Sequence, residues 1–551
     1  MITRALALFA LCAAPLRAQS ADLIITGRTW TGDSTRPWAE AVAIAGNRIL
    51  AVGTAADLQR YRAPSTRMVD APSGFVAPGF IDNHTHFGQA GALLLGVNLL
   101  DVRDEAGLVR RVREARDRVP TGAWLVGGEW GAYALDDTIF HPHRGMIDSI
   151  TPTMPALLSK WDRTVWVANG AAMIHAGVTC AWDGVECEAS RPTGRLTPAA
   201  AVRVRATMPP KSLDQRLAEA RVALAQLRSL GVTTIHDNTS PEQMVVFREL
   251  QRRRELSVRV YARYTLDRWE HLARLGIRHG FGDDWIRIGG LKGFVDGIMG
   301  NSSARFYEPY LTSGELGSWR TMMTDAPGML PLLLGADSAG LWPQVHAIGD
   351  AAIDTLLDMY EHVIATNGGR PRRLRVIHTQ VMRGPDVAAR MARHGIIAEV
   401  QPYHAIDDMR WMEPRIGARA RWAYAFQTLE RAGVRLSFGS DWPGTNASWY
   451  PASPVLGIYA AVTRQTLDGQ PAGGWFPHER VSVETALRAY TVNNAWAAGE
   501  EAVKGALREG MLADLVVLDR DPTVVSPGMI RDITVLFTVV DGRIVYERDR
   551  P

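Results

Sequence analysis

Two histidines separated by one residue close an apolar run, Gly79-Phe80-Ile81-Asp82-Asn83-His84-Thr85-His86. Residues i and i+2 of a strand project from one face, so His84 and His86 can converge on a single metal ion. Solvated surface histidines are the alternative. Lys292 sits inside a second apolar run, Leu291-Lys292-Gly293-Phe294-Val295-Asp296. An ammonium there is costly unless it is paired or neutralised. Three readings meet that demand: an ion pair with Asp296, a side chain that snorkels to water, or reaction of the amine with carbon dioxide. The last turns lysine into an oxygen ligand able to bridge two metals. His346, His378 and Asp441 end three further runs, Gln344-Val345-His346-Ala347, Val376-Ile377-His378-Thr379 and Phe438-Gly439-Ser440-Asp441. Each alone fits a strand cap or a turn as well as a ligand. Together the residues offer the imidazole and carboxylate donors that a divalent metal takes.

To meet, these residues must lie at one end of a common sheet. Strand-like runs occur at 75–84, 232–237, 258–264, 286–295, 342–347, 375–379, 396–401 and 435–440, with helical patterns between several of them; 213–230 is one. Eight strand–helix alternations predict an α/β protein with a (β/α)₈ barrel, whose active site lies at the C-terminal ends of the strands. The segment at about 89–210 is too long for one connection and is expected to be an insertion over the barrel mouth. Short strand-like runs punctuated by Gly46-Asn47 and Asp541-Gly542 occupy both ends of the chain. Neither end has enough strands to bury a face alone, so 21–75 and 505–551 are expected to pair as a small β-sandwich flanking a barrel domain at 76–504.

The pattern H-x-H, Lys, His, His, Asp is accompanied by GFIDNHTHF, LKGFVDG, VHAIGDAA, QPYHAIDD, FGSDWP, AAVTRQ, ALRAYTVNNA and GMLADLVVLDRDP. As a set these motifs resemble the amidohydrolase superfamily, and within it amidohydrolase family 3, the branch that includes N-substituted formamide deformylases. The resemblance spans nearly all of the chain after the first residues. It implies a metal-dependent hydrolase acting on a non-peptide C–N bond of an amide, formamide or cyclic amide. Ester or lactone cleavage and a non-catalytic binding barrel are the alternatives. It further implies two divalent ions, with zinc the best fit and manganese, nickel or iron open. His84, His86 and Asp441 would hold one ion, His346 and His378 the other, and Lys292, carboxylated by carbon dioxide, would bridge them. Asp441 would also move the proton. His404 and Asp408 resemble family pocket residues, and Trp130 and Trp442, with Tyr403, Trp411 and Trp449, could build an aromatic pocket. The chain departs from the family pattern at Ile377, where glutamate is usual, and at Gly444-Thr445-Asn446, where many members have Val-Glu after the proline.

The totals set outer limits. With 551 residues, 46% hydrophobic and 22% charged, the chain is an ordinary globular composition large enough for two structural units. Residues 1–20 read as a signal peptide: Arg4, then the apolar run 5–15, then small residues. Export to the periplasm or beyond is therefore expected. Loss of that segment removes Arg4 and Arg17 and takes the formal charge from +3 to +1, a balance that suggests neither nucleic acid nor an anionic membrane as partner. No later apolar stretch is long enough to span a bilayer. A small-molecule substrate is the expected partner, and the sequence leaves room for a homo-oligomer. Cys180 and Cys187 would be the only cysteines left after cleavage, either as a disulfide or as two thiols.

Overall fold

The computed structural model describes residues 20–119, 122–131, 140–161, 163–444 and 452–549. The expected signal peptide, except Ser20, and Trp449 lie outside them. Eight parallel strands form the barrel: β1 (Phe80–Thr85), β2 (Val232–Asn238), β3 (Arg259–Thr265), β4 (Ile286–Phe294), β5 (Trp342–Ala347), β6 (Arg375–His378), β7 (Ile397–Val400) and β8 (Leu436–Phe438). The barrel closes between β8 and β1 through side chains and one parallel bridge, Thr85 to Trp442. Asn83 donates to Ser437 Oγ at 2.8 Å, and Asn494 donates to the Phe438 carbonyl at 2.7 Å.

Alternation along the strands decides what lies inside. Val376, Ala398 and Val400 face out and join Ile353, Leu356 and Leu357 of the helix Asp350–Asn367 in one apolar cluster. Their strand neighbours Arg375 and Glu399 face in. The interior is therefore polar at this level, unlike the aliphatic layers common in such barrels.

The expected first strand, 75–84, is split at Gly79. Phe75 to Pro78 end the long strand Arg67–Pro78 of the terminal sheet, and β1 begins at Phe80. A side chain at Gly79 would run into Thr233, so only glycine lets the chain cross from one sheet to the other here. Strands from both termini pair in a single seven-stranded sheet. A bulge between Thr26 and Arg28 bends it, and its two halves share a core that includes Leu23, Val42, Leu515 and Val539. This sheet is anchored to the barrel by Arg259, which donates to Asp514 at 2.6 and 2.9 Å and to Asp541 at 3.1 Å.

The insertion between β1 and the helix Leu213–Ser229 is a six-stranded sheet with helices of its own. It holds the Cys180–Cys187 disulfide. The turn after its strand Ala156–Lys160 carries Trp161 to the barrel mouth, where the indole ring would lie 3.2 Å from a side chain at Gly300.

Candidate active site

All six expected ligands, His84, His86, Lys292, His346, His378 and Asp441, line one cavity of about 290 Å³ at the C-terminal ends of the strands. A larger cleft of about 690 Å³, between Leu213–Ser229 and the C-terminal strands, is lined by residues such as Arg228, Arg254 and Trp285 and contains none of them.

The floor of the cavity is built by β1, β4, β6 and the residues after β8. His84 is fully buried, and its Nδ1 lies 2.9 Å from Glu399 Oε1. Glu399 also accepts hydrogen bonds from Arg263 and Arg375; burial pushes its carboxyl up, but the two guanidinium groups hold it below the usual range. An ionised carboxylate can only accept, so Nδ1 of His84 carries the proton and Nε2 presents a lone pair. That lone pair is crowded by Lys292 Nζ at 3.1 Å, Asn238 Nδ2 at 3.0 Å and Asp441 Oδ1 at 3.5 Å. His86 Nε2 lies 3.2 Å from the same carboxylate oxygen. Burial and the nearby lysine hold His84 well below the usual imidazole range, so the ring is a neutral donor.

His378 repeats the device. Its Nδ1 is 2.8 Å from Gln401 Oε1, which leaves Nε2 free, and burial keeps it neutral. Burial pushes the Asp441 carboxyl up, yet the hydrogen bond with His86 helps hold it well below the usual carboxylate range. Both His378 and Asp441 have left-handed backbone, φ 75° and 59°. Such conformations are rare for side-chain-bearing residues and cluster at functional sites. One ligand atom each from His84, His378 and Asp441 lies within 4.8 Å of the others. This trio draws from both of the expected ion groups. His346 stands slightly apart because its Nε2 faces the Gly297 carbonyl at 2.9 Å, leaving Nδ1 with the free lone pair.

Neutral imidazoles with their lone pairs aimed at an ionised carboxylate are mutually unfavourable without a cation. The donor set therefore fits a divalent metal. Lys292 is buried and forms no ion pair with Asp296, whose oxygens accept from the backbone N–H groups of Arg305, Ile348 and Gly349. Nor does it snorkel to water. Burial lowers its amine to about 7, and no carboxylate lies within hydrogen-bonding distance of it among the described residues.

His404 and Asp408 line the same cavity. Burial pushes the Asp408 carboxyl up to about 7, while Gln380 Nε2 donates to it at 2.9 Å and Tyr424 donates through its hydroxyl. Trp411 lines the cavity with Trp161, Phe294 and Ile298. The expected pocket residues Trp130 and Trp442 do not. Trp130 packs in the core of the inserted sheet with Leu99, Leu125 and Ile147, because its strand turns that face inward. Trp442 is fully buried beneath the site, edge-on to Phe87. Tyr403 is likewise core. Sequence reasoning passed over Glu399, Arg263, Arg375, Asn238, Gln380 and Trp161. A charged residue inside an apolar strand singled out Lys292, and the same signal marks Glu399 in Ile396-Ile397-Ala398-Glu399-Val400.

Comparison with known proteins agrees with this architecture. A model of the amidohydrolase family matches residues 67–546. The chain is 32% identical over 549 residues to Protein LONG AFTER FAR-RED 3 of Arabidopsis thaliana, covering 96% of this chain and 92% of that one. It is 28% identical over 570 residues to N-substituted formamide deformylase of Arthrobacter pascens, covering 96% and 98%. The crystal structure of an uncharacterized metal-dependent hydrolase from Pyrococcus furiosus superposes with a TM-score of 0.74 at 27% identity, over 91% of this chain and 99% of that one. With its barrel closed by β8 on β1 and its polar donors gathered at one end, the chain is a hydrolase that belongs to the amidohydrolase family.

Proposed function

We propose that this hydrolase cleaves a non-peptide C–N bond in a small amide, formamide or cyclic amide. The observation that carries the reading is the convergence of His84, His378 and Asp441 in a cavity lined by both polar and aromatic side chains. The printed activity of the Arthrobacter pascens relative points the same way. Held by His84, His86 and Asp441 on one side and His346 and His378 on the other, two divalent ions, zinc the best suited, would supply Lewis acidity for water activation and carbonyl polarisation.

Lys292 would bridge the two positions as a carbamate. With its amine near 7, a large fraction is neutral at neutral pH. The nitrogen lone pair attacks the carbon of carbon dioxide, an N–C bond forms as a C–O π bond opens, and the amine proton leaves to solvent. Asp441, held ionised, accepts a proton from the attacking water and passes it to the leaving nitrogen. His404 and Asp408 would orient the substrate carbonyl. Trp161, Trp411, Phe294 and Ile298 would receive an apolar substituent. The apolar leader and the Cys180–Cys187 bond, of a kind that persists in oxidising compartments, support an exported enzyme.

The test is a panel of N-substituted formamides, acyl amides and cyclic amides, with matched esters and lactones, run on protein whose metal content is measured on the same sample. Release of amine supports the proposal. Turnover confined to esters or lactones would refute C–N specificity, and bound metal with no turnover at all would favour a binding barrel.

A further inference from the structure

Glu399 lies on β7 in the barrel interior, with no exposed surface, beneath the proposed ligands. Its contacts are saturated. Oε1 accepts from His84 Nδ1 at 2.9 Å and from Arg263 Nη1 at 2.9 Å. Oε2 accepts from Arg263 Nη2 at 3.0 Å and from Arg375 Nη1 at 2.9 Å. Strands β1, β3, β6 and β7 thus meet at one carboxylate. We propose that Glu399 is a positioning residue that prepares His84 for metal, an inference that rests on the metal-site reading above.

Two physical effects are combined in this one side chain. The first is tautomeric. Flanked by two guanidinium groups, the carboxylate stays ionised and can only accept, so it fixes the proton on Nδ1 and the lone pair on Nε2. Ring orientation is fixed by the same bond. The second is the interior field. Arg263 and Arg375 place two positive charges beneath a site built for cations, and Glu399 is the carboxylate that bonds both. Without it, both charges would face the ligands uncompensated and oppose metal entry. Arg375 has further partners, His236 Nδ1 at 3.0 Å and the Ala497 carbonyl at 2.7 Å, which keep it in place whether or not Glu399 is charged.

The register supplies a rescue. Ile377 on β6 is the direct cross-strand partner of Glu399, is fully buried, and lies on the same inward alternation as Arg375. A carboxylate introduced there would stand one strand away, two residues along β6 from Arg375.

The experiment measures zinc affinity by chelator competition on metal-stripped, refilled protein, for wild type, Glu399→Gln and Ile377→Glu/Glu399→Gln. Melting temperature is recorded alongside. Glu399→Gln should weaken zinc by about 10- to 100-fold, the range for outer partners of ligating histidines, and the double variant should recover part of that. Nitrogen NMR of metal-free wild type should show His84 protonated on Nδ1 alone. A His84 protonated on Nε2 would overturn the proposal even if the variants fail to fold. So would a Glu399→Gln protein with lowered melting temperature but unchanged zinc affinity. Failure of wild type itself to bind zinc would instead overturn the metal-site reading, so the two failures are distinguishable.

Discussion

Nε2 of His84 and Oδ1 of Asp441 face each other at 3.5 Å across the seam where β8 closes on β1. The two residues are 357 positions apart in sequence and are brought together by closure of the barrel. Asp82 makes that seam, accepting from the His84 backbone N–H at 3.1 Å and from Ser440 N at 2.9 Å. One carboxylate therefore sets the backbone at His84 and just before Asp441. Because the His84 proton sits on Nδ1 and is donated to Glu399 in a hydrogen bond, Nε2 has none to offer Asp441. The pair is repulsive alone and attractive around a cation, so metal should stabilise the closed seam as well as serve the chemistry.

Lys292→Ala tests the bridge. The variant should lose most activity and bind fewer than the two metal ions per chain expected of the wild type, by elemental analysis. A small carboxylic acid added to the variant should restore part of both, since it returns an oxygen ligand to the same space. Full activity in the alanine variant would rule out a bridging role.

Arg259→Met tests the anchor between terminal sheet and barrel. The guanidinium is 1% exposed and meets Asp514 and Asp541. Removing one partner of a buried pair leaves an uncompensated charge and costs about 3–5 kcal/mol. Denaturant unfolding should show a loss of this order with metal content per folded chain unchanged. A loss below about 1 kcal/mol would mean that the apolar contacts between sheet and barrel suffice.

Much of this was legible in the sequence, and the exceptions have causes. Strand positions emerged because apolar runs in a barrel are buried on their outer faces by helices; β5 falls at 342–347 as expected. The six candidate ligand residues emerged because strand ends are short-range features. What sequence reasoning passed over is long-range. Glu399 acquires its meaning only from Arg263 and His84, on strands far away in the chain, and Asn238 only from the two histidines it faces. The departure at Ile377 proves to be the register partner of Glu399. The aromatic pocket was misassigned at Trp130 and Trp442 because residue type does not say which face a ring takes. Trp161 reaches the cavity instead, from a turn of the inserted sheet that no periodicity marks.

Asp408 predicts a pH dependence. Its carboxyl is raised from 3.8 to about 7, mainly by burial. Between those values the folded chain holds a proton that the unfolded chain has released. Its contribution to stability is therefore complete below about pH 4 and declines as pH rises through about 7. Asp82 and Glu129 are raised to about 7 as well, so the effect must be read as a difference. Asp408→Asn, neutral at every pH, should gain melting temperature relative to wild type between pH 5 and 8. A difference that stays flat across that window would show that Asp408 does not titrate there.

Asp441→Asn separates binding from chemistry. The amide keeps the shape and one oxygen ligand, so metal content should fall modestly at most. It cannot accept the water proton, so kcat should fall by roughly a hundredfold or more, the scale of general acid–base catalysis. The low-pH limb of the rate profile should flatten or move, because it reports deprotonation of this carboxylate or of the attacking water. The left-handed backbone at φ 59° favours asparagine as well as aspartate, so the substitution adds no strain of its own. A residue that merely turns the chain after β8 would show a change in stability and near wild-type kcat. That outcome, in a folded protein with its metal measured on the same sample, would remove Asp441 as the proton carrier.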